Sequence, residues 1–279
     1  MMIVDSQVHV WAAETPDRPW PKQGGDLPKP HWPEPLTPER LLAEMDAAGV
    51  TRAVMVSPSF EGTRNDIVCE AARRHPSRLS VVARFDPTLP EAREFMPHCR
   101  ELPGVRGVRI TFHRQSLRAL LMGDGIDWLW AQAEALDLPL MVLAQHSDVP
   151  RFGEIAVRHP RLRLTLDHLG LTEGRDKEAF HGFANVLALA KHPNICAKAS
   201  CLPLFTADTY PFRRIHAYLR QAYDAFGAQR LFWGSDLSRL PCSYRQCVTL
   251  FTEELDWLRG SDLDNVMGRG LCDWLAWRI

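Results

Sequence analysis

The chain has 279 residues, 46% hydrophobic and 24% charged, and 33 Lys plus Arg stand against 34 Asp plus Glu for a net charge of −1. Such a composition builds a folded chain with a sizeable core and excludes disorder or low complexity as its theme. The charge balance leaves no whole-chain footprint for nucleic acid or an anionic membrane surface and suits a small-molecule substrate held locally. At ~150 residues per domain the length suggests nearly two domains, but α/β barrels of ~250 residues fold as one. A single domain over residues 1–279 is expected. The seven cysteines are an odd number with no C-x-x-C pair, which points to a reducing compartment. The opening MMIVDSQVHVW lacks the basic start of a signal peptide, and no run approaches the ~18 apolar residues of a membrane helix. A cytoplasmic location is the expectation.

In chain order, eight short apolar, β-branched runs recur: Ile3–Val10, Ala53–Ser57, Leu79–Phe85, Val105–Phe112, Leu138–Gln145, Leu162–His168, Ile195–Ser200 and Leu231–Asp236. Helical patterns separate them. The first opens at Thr37-Pro38-Glu39, an N-cap followed by Pro at the first helical position, and closes at Gly49. Others are expected near 65–75, 90–101, 127–137, 150–159, 176–192, 211–226 and 243–258, with an extra one at 262–277. Regular alternation of this kind predicts parallel strands with helices outside, a (β/α)8 TIM barrel. Three helices end in a basic-His-Pro phrase at His75, His159 and His192, where Pro stops the helix and a cation suits its C-terminus. These read as structural histidines. Residues 14–38 break the rhythm with eight prolines, Trp20, Trp32 and His31. So long a connection after the first strand is either a lid on the C-terminal face, where barrels carry their sites, or a surface loop packing its own aromatics.

Strand alternation then selects side chains. In the first run Asp5, Gln7 and His9 share one phase and Val4, Ser6, Val8 and Val10 the other. The apolar set is expected to face the helices, which turns Gln7 and His9 into the barrel mouth. His168, in phase with Leu164 and Leu166, ends the sixth run, and Asp236 ends the eighth. His9, His168 and Asp236 therefore meet at one rim. Inner-face cations follow: Arg109 with Gly107 leaving room for it, Arg84 near the end of the third run, and Lys198 with Ser200. An Arg presents a planar fork to a carboxylate, so a carboxylated or polyhydroxylated cyclic substrate is the expectation. Arg84 reads equally as a partner of Asp86. His113, Ser57, Ser59 and Arg239 lie just beyond strand ends.

The D-S-x-x-H-x-W opening, R-G-V-R at 106–109, D-H-L-G at 167–170, K-A-S at 198–200 and W-G-S-D at 233–236 resemble the amidohydrolase superfamily. The pattern is similar to its amidohydrolase-related branch, which includes sugar lactonases and the 2-pyrone-4,6-dicarboxylate lactonase. The resemblance implies His9, His168 and Asp236 around a catalytic water, often with one divalent metal such as zinc or manganese. It also implies a substrate role for Arg109. One position departs from that pattern: the first residue of the strand-one H-x-H pair is Gln7. An amide oxygen is a weaker ligand than the imidazole or carboxylate that zinc sites favour. The reading is therefore open between a metal site on His9, His168 and Asp236, with His146 supplying a further nitrogen, and a metal-independent one.

The expected chemistry is Asp236 acting as general base on water that opens a small lactone or cyclic ester, with His9 and His168 polarising the carbonyl. Gln7, His113, Arg84, Arg109 and Lys198 are the expected substrate contacts. A metal-dependent decarboxylase of the same superfamily and a non-catalytic ligand-binding barrel are the alternatives. No G-x-S-x-G elbow, phosphate loop or dinucleotide fingerprint competes with these readings. The tryptophans at 128, 130, 257, 274 and 277 fall on helical patterns and read as core or as a homo-oligomer interface.

Overall fold

Eight short strands run parallel in one sheet whose order follows the chain: β1 Val4–Val8, β2 Arg52–Met55, β3 Leu79–Arg84, β4 Val105–Thr111, β5 Leu140–Leu143, β6 Leu164–Leu166, β7 Ile195–Ser200 and β8 Leu231–Gly234. This is a computed structural model that describes residues 1–21, 30–112 and 115–278. The helices between strands are α1 Pro38–Ala48, α2 Asp66–Arg74, α3 Ala92–His98, α4 Gln115–Met122, α5 Asp127–Ala135, α6 Val149–Arg158, α7 Phe183–Ala188 and α8 Arg213–Phe226. Three more follow β8: α9 Tyr244–Thr252, α10 Gly260–Asp264 and α11 Gly270–Trp274. The sheet curls into the (β/α)8 barrel that the alternation predicts. Helix α1 starts as expected, with Thr37 Oγ1 accepting from Arg40 N at 3.3 Å and Gly49 in the left-handed region at φ 79°. Helix α4 falls where no helix was expected, and the 176–192 pattern yields only α7 and a short turn after it. Among the described residues no helix is long and apolar enough to cross a membrane.

Two apolar layers hold the barrel. The larger lies between strands and helices. The smaller fills the lower interior with Val4, Val54, Val56, Val82, Met141, Cys196 and Phe232, and is closed from below by Leu271, Cys272, Leu275 and Trp277. Val4 belongs to this interior, contrary to the expectation that it shares a helix-facing side with Val8 and Val10. The cause is a bulge in β1. Asp5 pairs with Ala53 and Val8 with Met55, so three steps on β1 oppose two on β2 and the side-chain phase switches between them. Below the bulge Val4 faces in; above it Gln7 and His9 do.

The upper interior is polar. Gln7, His9, Arg84, Arg109, Asp167, His168, Lys198, Ser200 and Asp236 converge there, none more than 6% exposed. Burying so many polar groups is costly unless they satisfy one another. The described aromatics of the 14–38 segment pack on residues outside it rather than on one another. Trp20 packs on Phe60 and Trp32 on Trp11, while His31 reaches the barrel mouth.

Candidate active site

The candidate cluster sits at the C-terminal ends of β1, β6 and β8. His9, just past β1, donates from Nδ1 to the Val56 carbonyl at 2.7 Å, which aims its Nε2 at Asp236 Oδ1, 3.2 Å away. His168 and Asp236 lie beyond their strands in left-handed backbone, at φ 52° and 54°. Ordinary residues rarely adopt this strained region, and where they do a functional site is a common reason. For His168 it decides the geometry. Leu164 and Leu166 pack in the outer layer, so the strand phase that carries them would point His168 at the helices. The turn brings it back into the mouth instead, with Nε2 3.7 Å from Asp236 Oδ2.

Asp236 is buried, yet neither of its oxygens receives a well-formed hydrogen bond from the described residues. Burial alone would raise its pKa, but His9, His168 and Arg239, whose Nη1 is 3.8 Å from Oδ2, hold it well below the usual carboxylate range. It is an ionised carboxylate with its lone pairs unspent.

Beneath it runs a chain of partners. Arg109 Nε donates to Asp167 Oδ2 at 2.6 Å, and Lys198 Nζ lies 2.9 Å from Asp167 Oδ1. Lys198 also donates to Gln7 Oε1 at 3.0 Å. Gln7 Nε2 sits 3.3 Å from His168 Nε2, and His168 Nδ1 sits 2.8 Å from Ser200 Oγ. An ammonium can only donate, so Lys198 fixes the amide with its oxygen outward and its NH2 toward His168. His168 must then accept at Nε2 and donate from Nδ1 to Ser200. The charges agree with this assignment. Burial would raise Asp167, but Lys198 and Arg109 outweigh it and hold the carboxyl at about 2. Burial pulls Lys198 down against the opposing pull of Asp167, and it pulls His168 down to about 4, leaving the imidazole neutral at neutral pH.

The depressed His168 carries a pH signature. Between its unfolded value of 6.5 and its folded value of about 4 the unfolded chain binds the extra proton, so stability falls as pH drops through that window. Melting temperatures from pH 7 to 4 are expected to decline, and a His168→Gln variant should decline less steeply. Equal slopes would show that His168 is not held neutral. Part of the slope should survive in the variant, because burial also lowers His31 to about 4.

The other expected residues divide. Arg84 is buried at the rim, with its backbone braced by Asn65 and its Nη2 donating to Thr111 Oγ1 at 3.0 Å. Arg109 faces inward as expected. Gly107 does not make room for it, however: a Cβ there would meet the Pro139 carbonyl oxygen at 2.6 Å, so the glycine serves the approach of β5. His146 is not brought to the cluster. Its Nδ1 accepts from Gly182 N at 3.2 Å and its Nε2 donates to the Leu169 carbonyl at 3.2 Å, beside a separate cavity of about 410 Å³. His113 lies outside the described residues. Three residues that the sequence reading did not name as site residues also stand at the site. Asp167 is one, and phase counting from Thr165, which bonds the Trp274 indole inside the barrel, would have found it. Ser200 is another. The third is His31, whose Nδ1 is 2.8 Å from Ser238 Oγ and whose ring is 5.7 Å from that of His9.

The parallel eight-stranded barrel thus carries a buried carboxylate and two histidines on its C-terminal rim, the face where such barrels hold their active sites. The chain belongs to the amidohydrolase family, whose pattern it matches over residues 4–258. It is similar to an L-fucono-1,5-lactonase of Burkholderia ambifaria, 32% identical over 250 residues that cover 85% of this chain and 81% of that protein. Among solved structures it is similar to an amidohydrolase from Burkholderia multivorans with bound zinc, at 24% identity, TM-score 0.79 and 99% coverage of both chains. The 5-carboxyvanillate decarboxylase of Sphingomonas paucimobilis shares the fold at 18% identity, TM-score 0.70 and 99% coverage of both chains.

Proposed function

We propose that the protein hydrolyses a small, polyhydroxylated lactone, with a six-membered sugar lactone as the first candidate. The observation that carries this reading is Asp236, ionised, buried and without a hydrogen bond among the described residues, facing His9 at 3.2 Å. In the reaction, Asp236 takes a proton from water as the water oxygen bonds to the lactone carbonyl carbon. The negative charge that develops on the carbonyl oxygen meets the inward-facing Gln7 NH2. When the ring C–O bond breaks, the ring oxygen takes up the proton held by the Asp236–His9 pair, and a hydroxy acid leaves. A carboxylate of very low pKa is a weak base. At neutral pH, however, His168 is uncharged, so its share of that downward pull lapses.

The choice of a polyhydroxylated over a carboxylated substrate follows from Arg109. Its charge is already met by Asp167, while His31, Ser238 and Arg239 at the rim suit hydroxyl groups. The sugar lactone named for the Burkholderia ambifaria relative carries the hydroxyl groups that these rim residues suit.

A divalent metal fits the donor set poorly. The His168 Nε2 lone pair faces the Gln7 amide, and Lys198 holds that amide with its N–H bonds turned into the site, where they would repel a cation. Turning the amide to offer its oxygen would set NH2 against NH3⁺. On this reading Lys198 and Arg109 supply permanently the positive charge that a metal would bring. We expect L-fucono-1,5-lactone and related sugar lactones to release protons in a pH-indicator assay, with rates unchanged after exhaustive chelation and no stoichiometric metal in the purified protein. Activity lost to the chelator and restored by zinc or manganese would overturn the metal-free reading. Decarboxylation of an aromatic acid in place of lactone opening would overturn the reaction.

A further inference from the structure

Among the described residues seven strand ladders run from β1–β2 round to β7–β8, and none of them joins β8 to β1. Yet Gln7 and His9 stand on one side of that seam and Asp236 on the other. One backbone bond crosses it at this height, from Asp236 N to the Gln7 carbonyl at 2.9 Å. A single carboxylate adds side-chain bonds across the seam at this height. Asp5 Oδ1 accepts from Gln7 N at 3.0 Å and from Ser235 N at 2.9 Å, so one oxygen ties the two strands together. Its Oδ2 accepts from the Ser235 hydroxyl and from the Tyr244 hydroxyl of α9, the latter at 2.7 Å. Asp5 is completely buried.

Two further features converge on the same carboxylate. Asp5 stands where the β1 bulge begins, so its bond to Gln7 N holds the kink that turns Gln7 and His9 into the mouth. Gly234, at the end of β8, lets the strands approach: a Cβ there would meet Ser6 Oγ, with Ser200 Cβ at 3.0 Å and Asp5 Oδ1 at 3.3 Å.

We propose that Asp5 is a positioning residue for hydrolysis, setting the distance between His9 and Asp236 through the two backbone amides it joins. The proposal rests on the reading of Asp236 as the base. Asp5 touches no reacting atom, and its work is done as a hydrogen-bond acceptor rather than as a charge. Displacement of a reacting group by ~1 Å costs on the order of 100-fold in rate even when the altered residue lies away from the chemistry.

The test compares kcat and KM, per folded enzyme, for Asp5→Ala, Asp5→Asn, Gly234→Ala and Tyr244→Phe on the best lactone substrate, with Asp236→Asn alongside. Asp5→Ala is expected to lower kcat by on the order of 100-fold, with KM held within about 2-fold. Asp5→Asn keeps an oxygen for both amides and should recover most of that loss. Gly234→Ala forces the seam apart without changing any charge and should lower kcat in the same sense. Tyr244→Phe removes only a bond to the far oxygen; it should lower the melting temperature and leave kcat in place.

The proposal falls if Asp5→Ala keeps wild-type kcat, or if Asp5→Asn is as slow as Asp5→Ala. It also falls if Tyr244→Phe loses as much kcat as the seam variants. Should Asp5→Ala fail to fold, Gly234→Ala decides alone, and unchanged kcat there overturns the proposal. An active Asp236→Asn would instead bring down the reading of the base.

Discussion

Replacing Asp236 by Asn is expected to remove nearly all turnover and to lower the melting temperature. The amide keeps the shape of the carboxylate but cannot take the proton from water. General-base assistance by a positioned side chain is commonly worth ~10²–10⁴ in rate, so kcat should fall by roughly that factor. The stability half of the expectation comes from the same atoms. Asp236 is 1% exposed, yet His9, His168 and Arg239 outweigh the cost of burial and hold its pKa well below the usual carboxylate range, so the fold favours its charge relative to the unfolded chain. Neutralising it should forfeit that contribution and lower the melting temperature at neutral pH. Initial rates and thermal melts on the same preparation check both halves. Wild-type kcat in the variant would remove Asp236 from the mechanism.

The second large effect concerns Lys198, which is completely buried and touches both Asp167 and Gln7. Lys198→Met leaves a similar volume but strips Asp167 of one of its two cations. Breaking a buried pair by removing one partner typically costs ~3–5 kcal/mol. Arg109 remains on the other oxygen, so the lower end, about 3 kcal/mol, is expected. At ~2–4 °C per kcal/mol for a chain of this general size, the melting temperature should drop by roughly 6–12 °C. Activity should fall as well, because Gln7 loses the donor that orients its amide. The double variant Lys198→Met with Asp167→Asn leaves the buried Arg109 without its carboxylate and should lose further stability without regaining rate. If both variants are equally unstable, the damage comes from packing and not from the ion pair.

How far the sequence reaches can be traced residue by residue. The strands were legible because each is a short β-branched run, and the rim residues because they close those runs. His9, His168, Asp236, Gln7, Lys198 and Arg109 do meet, as phase and strand ends suggest. What escaped was backbone irregularity. The β1 bulge reverses Val4 relative to Val8, and a strict period of two cannot register an inserted residue. His168 was placed inward for the wrong reason, since its strand phase points outward and a left-handed turn corrects it. That error also hid Asp167, the inward residue of that pair. His146 looked available because sequence shows a histidine beyond a strand, whereas its ring nitrogens are committed to the backbone of Gly182 and Leu169. Such commitments arise from contacts across elements far apart in the chain and leave no local trace.

The missing ladder between β8 and β1 bears on how the molecule would come apart. Strands β1 and β8 are each laddered on one side only, and the bulge interrupts the ladder of β1, so β1 is the strand with least to lose in a partial opening. Gln7 and His9 leave with it, while β2 to β8 keep their six ladders and the outer apolar layer. Loss of catalytic competence and loss of the fold are therefore separable events in this barrel: under mild denaturing stress, inactivation should run ahead of global unfolding.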